Sequence, residues 1–319
     1  MAACPNDPQF LTMAAFFLEQ SNADRDEGLN LGLQSLDADP GNLYTYHAVG
    51  HNYQSRGDYA KAVATFERAN SLERVPHNVW HLAEAQAILG DTRITQDYWR
   101  SSGPPLPLFE RIELQWRREI VRGEAVEPPV WRRLAIEGER ALDIADDLTI
   151  WMHHWIGLAF ARAGQTDKAQ QQLSRLRGLP EGKASGHWST LGADLLEGEM
   201  ALIRGDVDTA VGLMAPSVER IHDMGGGSRE QKDIFQDVLM VLQRCLGQVD
   251  AVSALAQQRL ARNPNHLQSL AAQAWVYEQT GKSDLQQQIC REIVDRSEQL
   301  PVCLQAPALV EAQAALQMS

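Results

Sequence analysis

Apolar residues recur along this chain with the period of an amphipathic α-helix, and glycine interrupts the pattern at intervals. In the clearest stretch, Ala62, Phe66 and Ala69 lie on one helix face shortly after Gly57-Asp58. Glycine suits the residue that follows a helix because it adopts positive φ without strain, and aspartate suits the start of the next helix. The pattern therefore predicts pairs of helices joined by tight turns.

Seven glycines take this turn position, at successive spacings of 33, 33, 41, 41, 42 and 34 residues. They are Gly57, Gly90, Gly123, Gly164, Gly205, Gly247 and Gly281. A spacing near 34 is that of the tetratricopeptide repeat, and longer spacings suit looser helical hairpins. Alternating strand patterns are nearly absent from the sequence. We expect an all-α, tetratricopeptide-like α-solenoid of about seven or eight helical hairpins, as one domain over 1–319 with a capping helix in 306–319.

Counting back from each turn glycine aligns the first helices of the hairpins. Seven positions before the glycine, five units carry a small residue, which predicts a closely packed face: Gly50, Ala83, Gly157, Gly198 and Ala274. A second helical stripe lies thirteen, ten, nine and six positions before the glycine, and in tetratricopeptide arrays it lines the concave groove. In the first four units this stripe reads Tyr44, His47, Ala48, His51; His77, Trp80, His81, Glu84; Glu110, Glu113, Leu114, Arg117; and Trp151, His154, Trp155, Leu158.

Four histidines on this stripe are the strongest chemical signal. His47 with His51, and His77 with His81, are i, i+4 pairs, so each pair faces one way from its helix. Because the two helices are repeat neighbours, we expect the four imidazoles to converge. Neutral imidazole is the commonest metal ligand and titrates near working pH. The four histidines are therefore predicted to be ligands of a divalent first-row metal, or catalytic acid/base groups, and no other cofactor is expected.

Aromatic and polar residues on the same stripe are predicted to complete a ligand site, because a flat apolar wall suits an aromatic or planar ligand. The predicted ligand-binding residues are Tyr44, Trp80, Glu84, Glu113, Trp151, His154 and Trp155. The leading hypothesis is a protein that binds a small planar metabolite and acts on it as a metal-dependent or acid/base enzyme. Two alternatives stay open: a non-catalytic scaffold that binds a partner peptide in the groove, and histidines that only fix the geometry between repeats.

The formal net charge of −13 limits the kinds of molecule that the protein is expected to bind. It argues against a nucleic-acid backbone or an anionic membrane surface and favours a basic segment of a protein partner. No apolar run approaches the length of a membrane span, and the first residues lack the pattern of a signal peptide. Four cysteines without CxxC spacing, at positions 4, 245, 290 and 303, indicate a reducing cytoplasm rather than a disulfide framework. The sequence leaves the oligomeric state open.

A glycine-rich segment precedes Ser228, and Gln231 follows three residues later. This is the pattern of a capping box at the start of a helix. The spacing of a Walker phosphate-binding loop is missing, so the segment predicts helix capping ahead of phosphate binding.

Four motifs resemble the tetratricopeptide repeat protein 38 family. They are His47-Ala48-Val49-Gly50-His51, His77-Asn78-Val79-Trp80-His81, the stretch 226–235 and the stretch 259–265. In the third motif, Lys232 replaces the family's arginine, and the family's later histidine corresponds to His154 or to Gly157. The family also has more repeats before the first motif. The resemblance implies a tetratricopeptide-like solenoid and no particular reaction.

Overall fold

A computed structural model describes residues 6–21, 24–91, 107–144, 150–182, 185–298 and 307–317. Every regular element in these ranges is helical, so the all-α prediction is confirmed. Two of the four cysteines, Cys4 and Cys303, lie outside the described residues.

Sixteen α-helices occupy the described ranges. They are α1 Pro8–Ser21, α2 Arg25–Ala38, α3 Leu43–Ser55, α4 Tyr59–Leu72, α5 Pro76–Ile88, α6 Leu108–Trp116, α7 Pro128–Ile144, α8 Ile150–Arg162, α9 Thr166–Arg177, α10 Ala193–Ile203, α11 Val207–Glu219, α12 Arg229–Cys245, α13 Val249–Arg262, α14 Leu267–Gln279, α15 Ser283–Glu298 and α16 Pro307–Gln317. Short π-helical segments extend the end of α6 and precede α10, at Arg117–Val121 and Trp188–Gly192.

The turn glycines lie where the spacing predicts them. All seven have positive φ, between 63° and 97°, and each lies within two residues of the end of a helical segment. Aspartate is a less regular part of the turn. Asp206 caps α11 by accepting a hydrogen bond from the Thr209 amide, whereas the Asp58 side chain makes no capping bond at α4. The glycine conformation is thus the feature that the hairpins share.

The predicted small-residue face is the closely packed face. A Cβ added at Gly198 would lie 2.5 Å from Met214 Cγ, and one added at Gly157 would lie 2.7 Å from Leu196 Cδ2. The Ala83 side chain is fully buried. Larger residues at these positions would hold the helices apart, so the hydrophobic cores depend on small side chains here.

The chain folds into two compact units: Met1–Leu106 with Ser253–Ser319, and Pro107–Val252. The boundary falls inside α13. The expectation of a single domain over 1–319 stays a prediction. The helix expected in 306–319 is α16, and its Leu309 and Ala312 are buried.

Within the first unit, residues far apart in sequence pack together. Tyr59, Ile88 and Leu89 share a hydrophobic cluster with side chains of α14, α15 and α16. Asn265 Nδ2 donates to the Arg56 carbonyl at 2.9 Å, across 209 residues of sequence. A repeat in an open array contacts only its neighbours, so the joining of the first and last repeats is a tertiary feature that the repeat pattern does not encode.

The second unit has its own core, in which two tryptophans are fully buried. The Arg162 guanidinium lies 5.9 Å from the Trp116 ring centroid and 5.5 Å from that of Trp131. Arg162 also forms an ion pair with Glu119. The predicted capping box is present at α12, where Ser228 and Gln231 bond each other's backbone amides.

Among the described helices, none combines the length and the apolar character that crossing a bilayer requires. The two described cysteines are free thiols, Cys245 exposed and Cys290 buried.

The contact between the first and last repeats predicts unequal costs for two matched substitutions. Gly57 and Gly164 have φ of 75° and 76°, so Ala at either position should cost about 1–2 kcal/mol for the left-handed backbone. A Cβ at Gly57 would also lie 2.5 Å from Asn265 Cβ and 3.0 Å from its carbonyl carbon, whereas nothing lies within 4 Å at Gly164. We expect Gly57→Ala to lose about 1–3 kcal/mol more than Gly164→Ala in urea unfolding. Equal losses would contradict this contact.

Candidate functional site

Two helices of successive repeats supply the histidine cluster, which we define as His47, His51, His77 and His81. Helix α3 begins after Asn42, whose side chain accepts hydrogen bonds from two backbone amides of the first turn. Helix α5 begins with proline at its first position, where a missing amide costs nothing. Each helix carries two histidines one turn apart, and so presents both rings on the same side.

The four rings lie together. The ring centroids of His47 and His51 are 4.6 Å apart, as are those of His77 and His81. Between the two helices, the ring centroids of His51 and His81 are 4.1 Å apart. The centroid of His47 is 5.1 Å from that of His77 and 5.1 Å from that of His81. One ligand nitrogen from each residue can be chosen so that all four lie within 4.8 Å of one another.

Aromatic side chains enclose the cluster. Phe66 is fully buried and stacks on His81, with centroids 5.1 Å apart and the planes at 11°. Trp80, also fully buried, lies parallel to His77 at 6.0 Å. His51 and His81 are fully buried, whereas His47 and His77 are half-buried. The cluster therefore has an apolar inner side and a partly accessible outer side.

A chain of hydrogen bonds fixes the orientation of His81. Gln54 Nε2 donates to the Glu84 carboxylate at 2.5 Å, which turns Gln54 Oε1 toward His81 Nδ1 at 3.1 Å. Because an amide oxygen only accepts, His81 Nδ1 carries the proton and donates. The lone pair is then on Nε2, which lies 3.3 Å from His77 Nε2.

His47 has a similar arrangement. Its Nδ1 lies 2.7 Å from Asn78 Oδ1, an acceptor on α5. The Nδ1 proton is donated to this oxygen, so Nε2 of His47 also carries a lone pair. Such partners on the far nitrogen are typical of histidines that use the other nitrogen to bind a metal or to accept a proton.

Burial keeps His81 uncharged. Desolvation lowers the pKa of His81 well below its ordinary value of 6.5, and the neighbouring imidazoles of His51, His77 and His47 lower it further. An imidazolium would lose hydration and meet three further rings that can carry positive charge. The inner ring is therefore a neutral base near neutral pH.

The other predicted ligand residues of the first unit lie beside the cluster. Tyr44 is 77% exposed, and its ring centroid is 6.3 Å from that of His47. Trp80 and Glu84 are buried, so Trp80 is a wall and Glu84 acts on the cluster through Gln54. These placements agree with a shared site, and the role of each residue as a ligand contact stays a prediction.

Four predicted ligand residues belong to the second unit and have local partners there. Glu113 forms a buried ion pair with Arg117 at 2.9 Å. His154 is fully buried, with Nδ1 donating to the Gly192 carbonyl at 3.0 Å and Nε2 3.2 Å from the Glu199 carboxylate.

Trp151 and Trp155 take part in aromatic packing. Trp151 lies 4.0 Å from the Phe109 ring centroid, edge to face, and Trp155 stacks on Phe235 at 5.7 Å. The ligand-binding roles of Trp151 and Trp155, like those of Glu113 and His154, stay predictions.

The expected groove lining is mostly interior. Of the sixteen stripe residues, all but four are buried; the exceptions are Tyr44, His47, His77 and Trp151. A peptide cannot contact buried side chains directly. The stripe of the first four units therefore packs the protein more than it lines a binding surface.

Sequence reasoning missed Gln54 and Asn78 as hydrogen-bonding partners of the cluster. A signal for Gln54 was present, since His47, His51 and Gln54 follow the i, i+4, i+7 spacing of one helix face. Asn78 directly follows His77. Glu19, whose carboxylate lies within 4.8 Å of a His51 ring nitrogen, comes from α1 and left no signal.

The close approach of α3 and α4 positions Phe66, and a matched pair of glycine substitutions tests it. A Cβ at Gly50 would lie 2.4 Å from two Phe66 ring atoms, whereas Gly212, within α11, has nothing within 4 Å. Gly50→Ala should destabilise the protein by about 1–3 kcal/mol in urea unfolding and shift the His81 imidazole resonances. Gly212→Ala should be neutral or stabilise by up to about 1 kcal/mol. A stabilising Gly50→Ala would mean that Phe66 is not confined.

Comparison with known proteins locates one repeat in sequence. The tetratricopeptide repeat family matches residues 43–75, which comprise α3, α4 and the segment leading to α5. No curated protein sequence matches the chain.

Solved structures are similar to this chain at low sequence identity and low TM-score. A tetratricopeptide repeat protein from Parabacteroides merdae is 11% identical with a TM-score of 0.37, covering 96% of this chain and 98% of that one. The P58(IPK) TPR domain is 12% identical with a TM-score of 0.30, covering 98% of both chains. Yeast Tom70 is 11% identical with a TM-score of 0.29, covering 98% of this chain and 90% of its own. Together with the repeat match, the helical hairpins make this chain a tetratricopeptide-like helical-repeat protein.

Proposed function

We propose that this chain is a scaffold that binds a partner protein, and that the partner docks on the hairpin of α1 and α2. Helical repeats present extended surfaces that commonly serve this purpose. The observation that carries the proposal is an exposed apolar face on α1. Phe10, Met13 and Phe17 are 50%, 62% and 67% exposed.

These three side chains form one surface, because their spacing places them on one side of the helix. The opposite side of α1 is buried, through residues such as Leu11 and Ala15. Clustered large apolar side chains on a protein surface are typical of an interaction site, since their exposure to water is unfavourable.

Charge indicates what kind of partner fits. The stretch 6–42, which contains both helices, carries seven carboxylates and one arginine. A positively charged segment would be attracted to it, and apolar side chains on that segment would cover Phe10, Met13 and Phe17. The proposed partner is therefore a basic amphipathic segment of another protein.

We also propose a cytoplasmic location for the protein and membership of the family that its histidine motifs resemble. The free thiols of Cys245 and Cys290 support a reducing cytoplasm. The paired histidine motifs support kinship with the tetratricopeptide repeat protein 38 family.

A second candidate is the small-molecule site of the sequence hypothesis, and the half-buried His47 and His77 beside exposed Tyr44 favour it. A planar metabolite would meet the outer imidazoles, which could transfer protons or hold a catalytic metal. Imidazole NMR resonances of His47 and His77 should then shift on addition of a planar nitrogen heterocycle such as adenine. Spectra that do not change across a panel of such compounds would contradict this candidate.

The docking surface is tested with a synthetic lysine-rich amphipathic helix and an acidic peptide of the same apolar pattern. The full chain should bind the basic peptide, more weakly as salt is raised, and the acidic peptide should not bind. Phe17→Asp should weaken binding about tenfold or more, because an anchoring aromatic side chain is lost. Val310→Asp is the matched control, since Val310 is 52% exposed on α16.

Two outcomes of this experiment would contradict the proposal. One is equal binding of the basic peptide by wild type, Phe17→Asp and Val310→Asp. The other is a wild-type dimer, in analytical ultracentrifugation, that only Phe17→Asp dissociates, because a second copy of the chain would then occupy the surface.

A further inference from the structure

We infer that His47, His51, His77 and His81 bind one divalent ion of the late first-row transition metals, such as Zn²⁺, between α3 and α5. This inference goes beyond partner binding and does not depend on it. It rests on three observations: the separation of the ring nitrogens, the placement of the lone pair on Nε2 in His47 and His81, and the carboxylates nearby.

The nitrogen separations approach those of a tetrahedral site. Zn–N bonds of 2.0–2.1 Å place the nitrogens of a tetrahedron about 3.3–3.4 Å apart. His81 Nε2 and His77 Nε2 are 3.3 Å apart, and the four ligand nitrogens all lie within 4.8 Å of one another. His47 and His77 are half-buried, and metal binding would require rotation of their side chains to bring the wider nitrogen pairs together.

The hydrogen-bond partners fix which ring nitrogen carries the lone pair in two of the four histidines. Gln54 accepts the Nδ1 proton of His81 and Asn78 accepts that of His47, which leaves the ring lone pair of each histidine on Nε2. Metal-binding histidines are oriented in this way, with the far nitrogen held by an acceptor. Four imidazole nitrogens suit Zn²⁺, Cu²⁺, Ni²⁺ or Co²⁺ and are poor ligands for Mg²⁺ or Ca²⁺.

Nearby carboxylates offset the charge of the ion. Four neutral imidazoles leave two positive charges on the bound metal. The Glu84 carboxylate is buried and bonds Gln54, which in turn holds His81. The Glu19 carboxylate is also buried and lies within 4.8 Å of a His51 ring nitrogen. Two buried carboxylates, Glu84 on α5 and Glu19 on α1, therefore favour a cation in the cluster.

The consequence is a link between successive repeats. Helix α3 supplies two ligands and helix α5 supplies the other two, so the ion joins helices that otherwise meet through apolar and hydrogen-bonded contacts. Because the unfolded chain lacks this arrangement, metal binding raises the stability of the folded state.

Metal loading of the wild-type full chain is the first test. The protein is treated with a chelator, dialysed and titrated with Zn²⁺ against a chromophoric competitor, with Mg²⁺ in parallel. We expect one Zn²⁺ per chain, a higher unfolding temperature with Zn²⁺ and no change with Mg²⁺. Co²⁺ should give the intense visible bands of a four-coordinate ion. A wild type that binds no stoichiometric Zn²⁺ would overturn the inference.

Variants then assign the ligands. His47→Gln and His81→Gln should each lower the Zn²⁺ affinity by about 100-fold or more. Loss of a direct metal ligand weakens binding more than loss of a residue that only hydrogen-bonds to a ligand. His153→Gln is the matched control, because His153 is a buried histidine bonded to Gln172 in the second unit. Its affinity should equal that of wild type.

A positioning variant separates coordination from packing. Gln54→Leu keeps the side-chain volume but removes the acceptor of the His81 proton, so the Zn²⁺ affinity should fall about 10–100-fold with the stoichiometry unchanged. Wild-type affinity in both His47→Gln and His81→Gln would overturn the inference, and would leave the imidazoles as a hydrogen-bonded packing element. If a variant does not fold, the stoichiometry and the Co²⁺ spectrum of wild type still decide.

Discussion

The close contact of α3 with α4 at Gly50 is the constraint on which the histidine cluster depends. A side chain at this position would occupy the space of the Phe66 ring, which approaches a hypothetical Cβ to 2.4 Å. Phe66 in turn stacks on His81, one of the two fully buried rings of the cluster. The lack of a side chain at Gly50 thus determines where the His81 imidazole lies, because the tightly packed Phe66 ring between them has little room to move.

Polar groups complete what packing begins. The Glu84 carboxylate fixes the Gln54 amide, and the amide fixes the tautomer of His81. Each step follows from the donor and acceptor capacity of the group, since a carboxylate only accepts and an amide has one end of each kind. The result is a neutral, oriented imidazole in an apolar setting, a state that is useful for binding a metal and that a purely apolar core does not provide.

The first unit joins repeats from both ends of the sequence. The turn at Gly57 meets Asn263 and Asn265, and the apolar cluster of Tyr59, Ile88 and Leu89 is completed by α14, α15 and α16. Apolar surface that a terminal repeat would expose is buried in this way. On α1, by contrast, Phe10, Met13 and Phe17 remain exposed to solvent. For this reason we propose that a partner binds to this face of α1.

The sequence by itself determined the helical hairpins and their turns. Turn glycines need positive φ, small residues are needed where helices touch, and both demands are local, so spacing alone located Gly57, Gly50 and their equivalents. It also placed the two histidine pairs on one helix face each. The sequence also led us to expect that the four rings converge. Only the tertiary structure decided how closely they approach, that Glu19 lies beside them, that most of the expected groove is buried and that the last repeats pack on the first. Those features depend on the distance and angle between helices, which arise from side-chain packing among residues far apart in the chain and leave no period in the sequence.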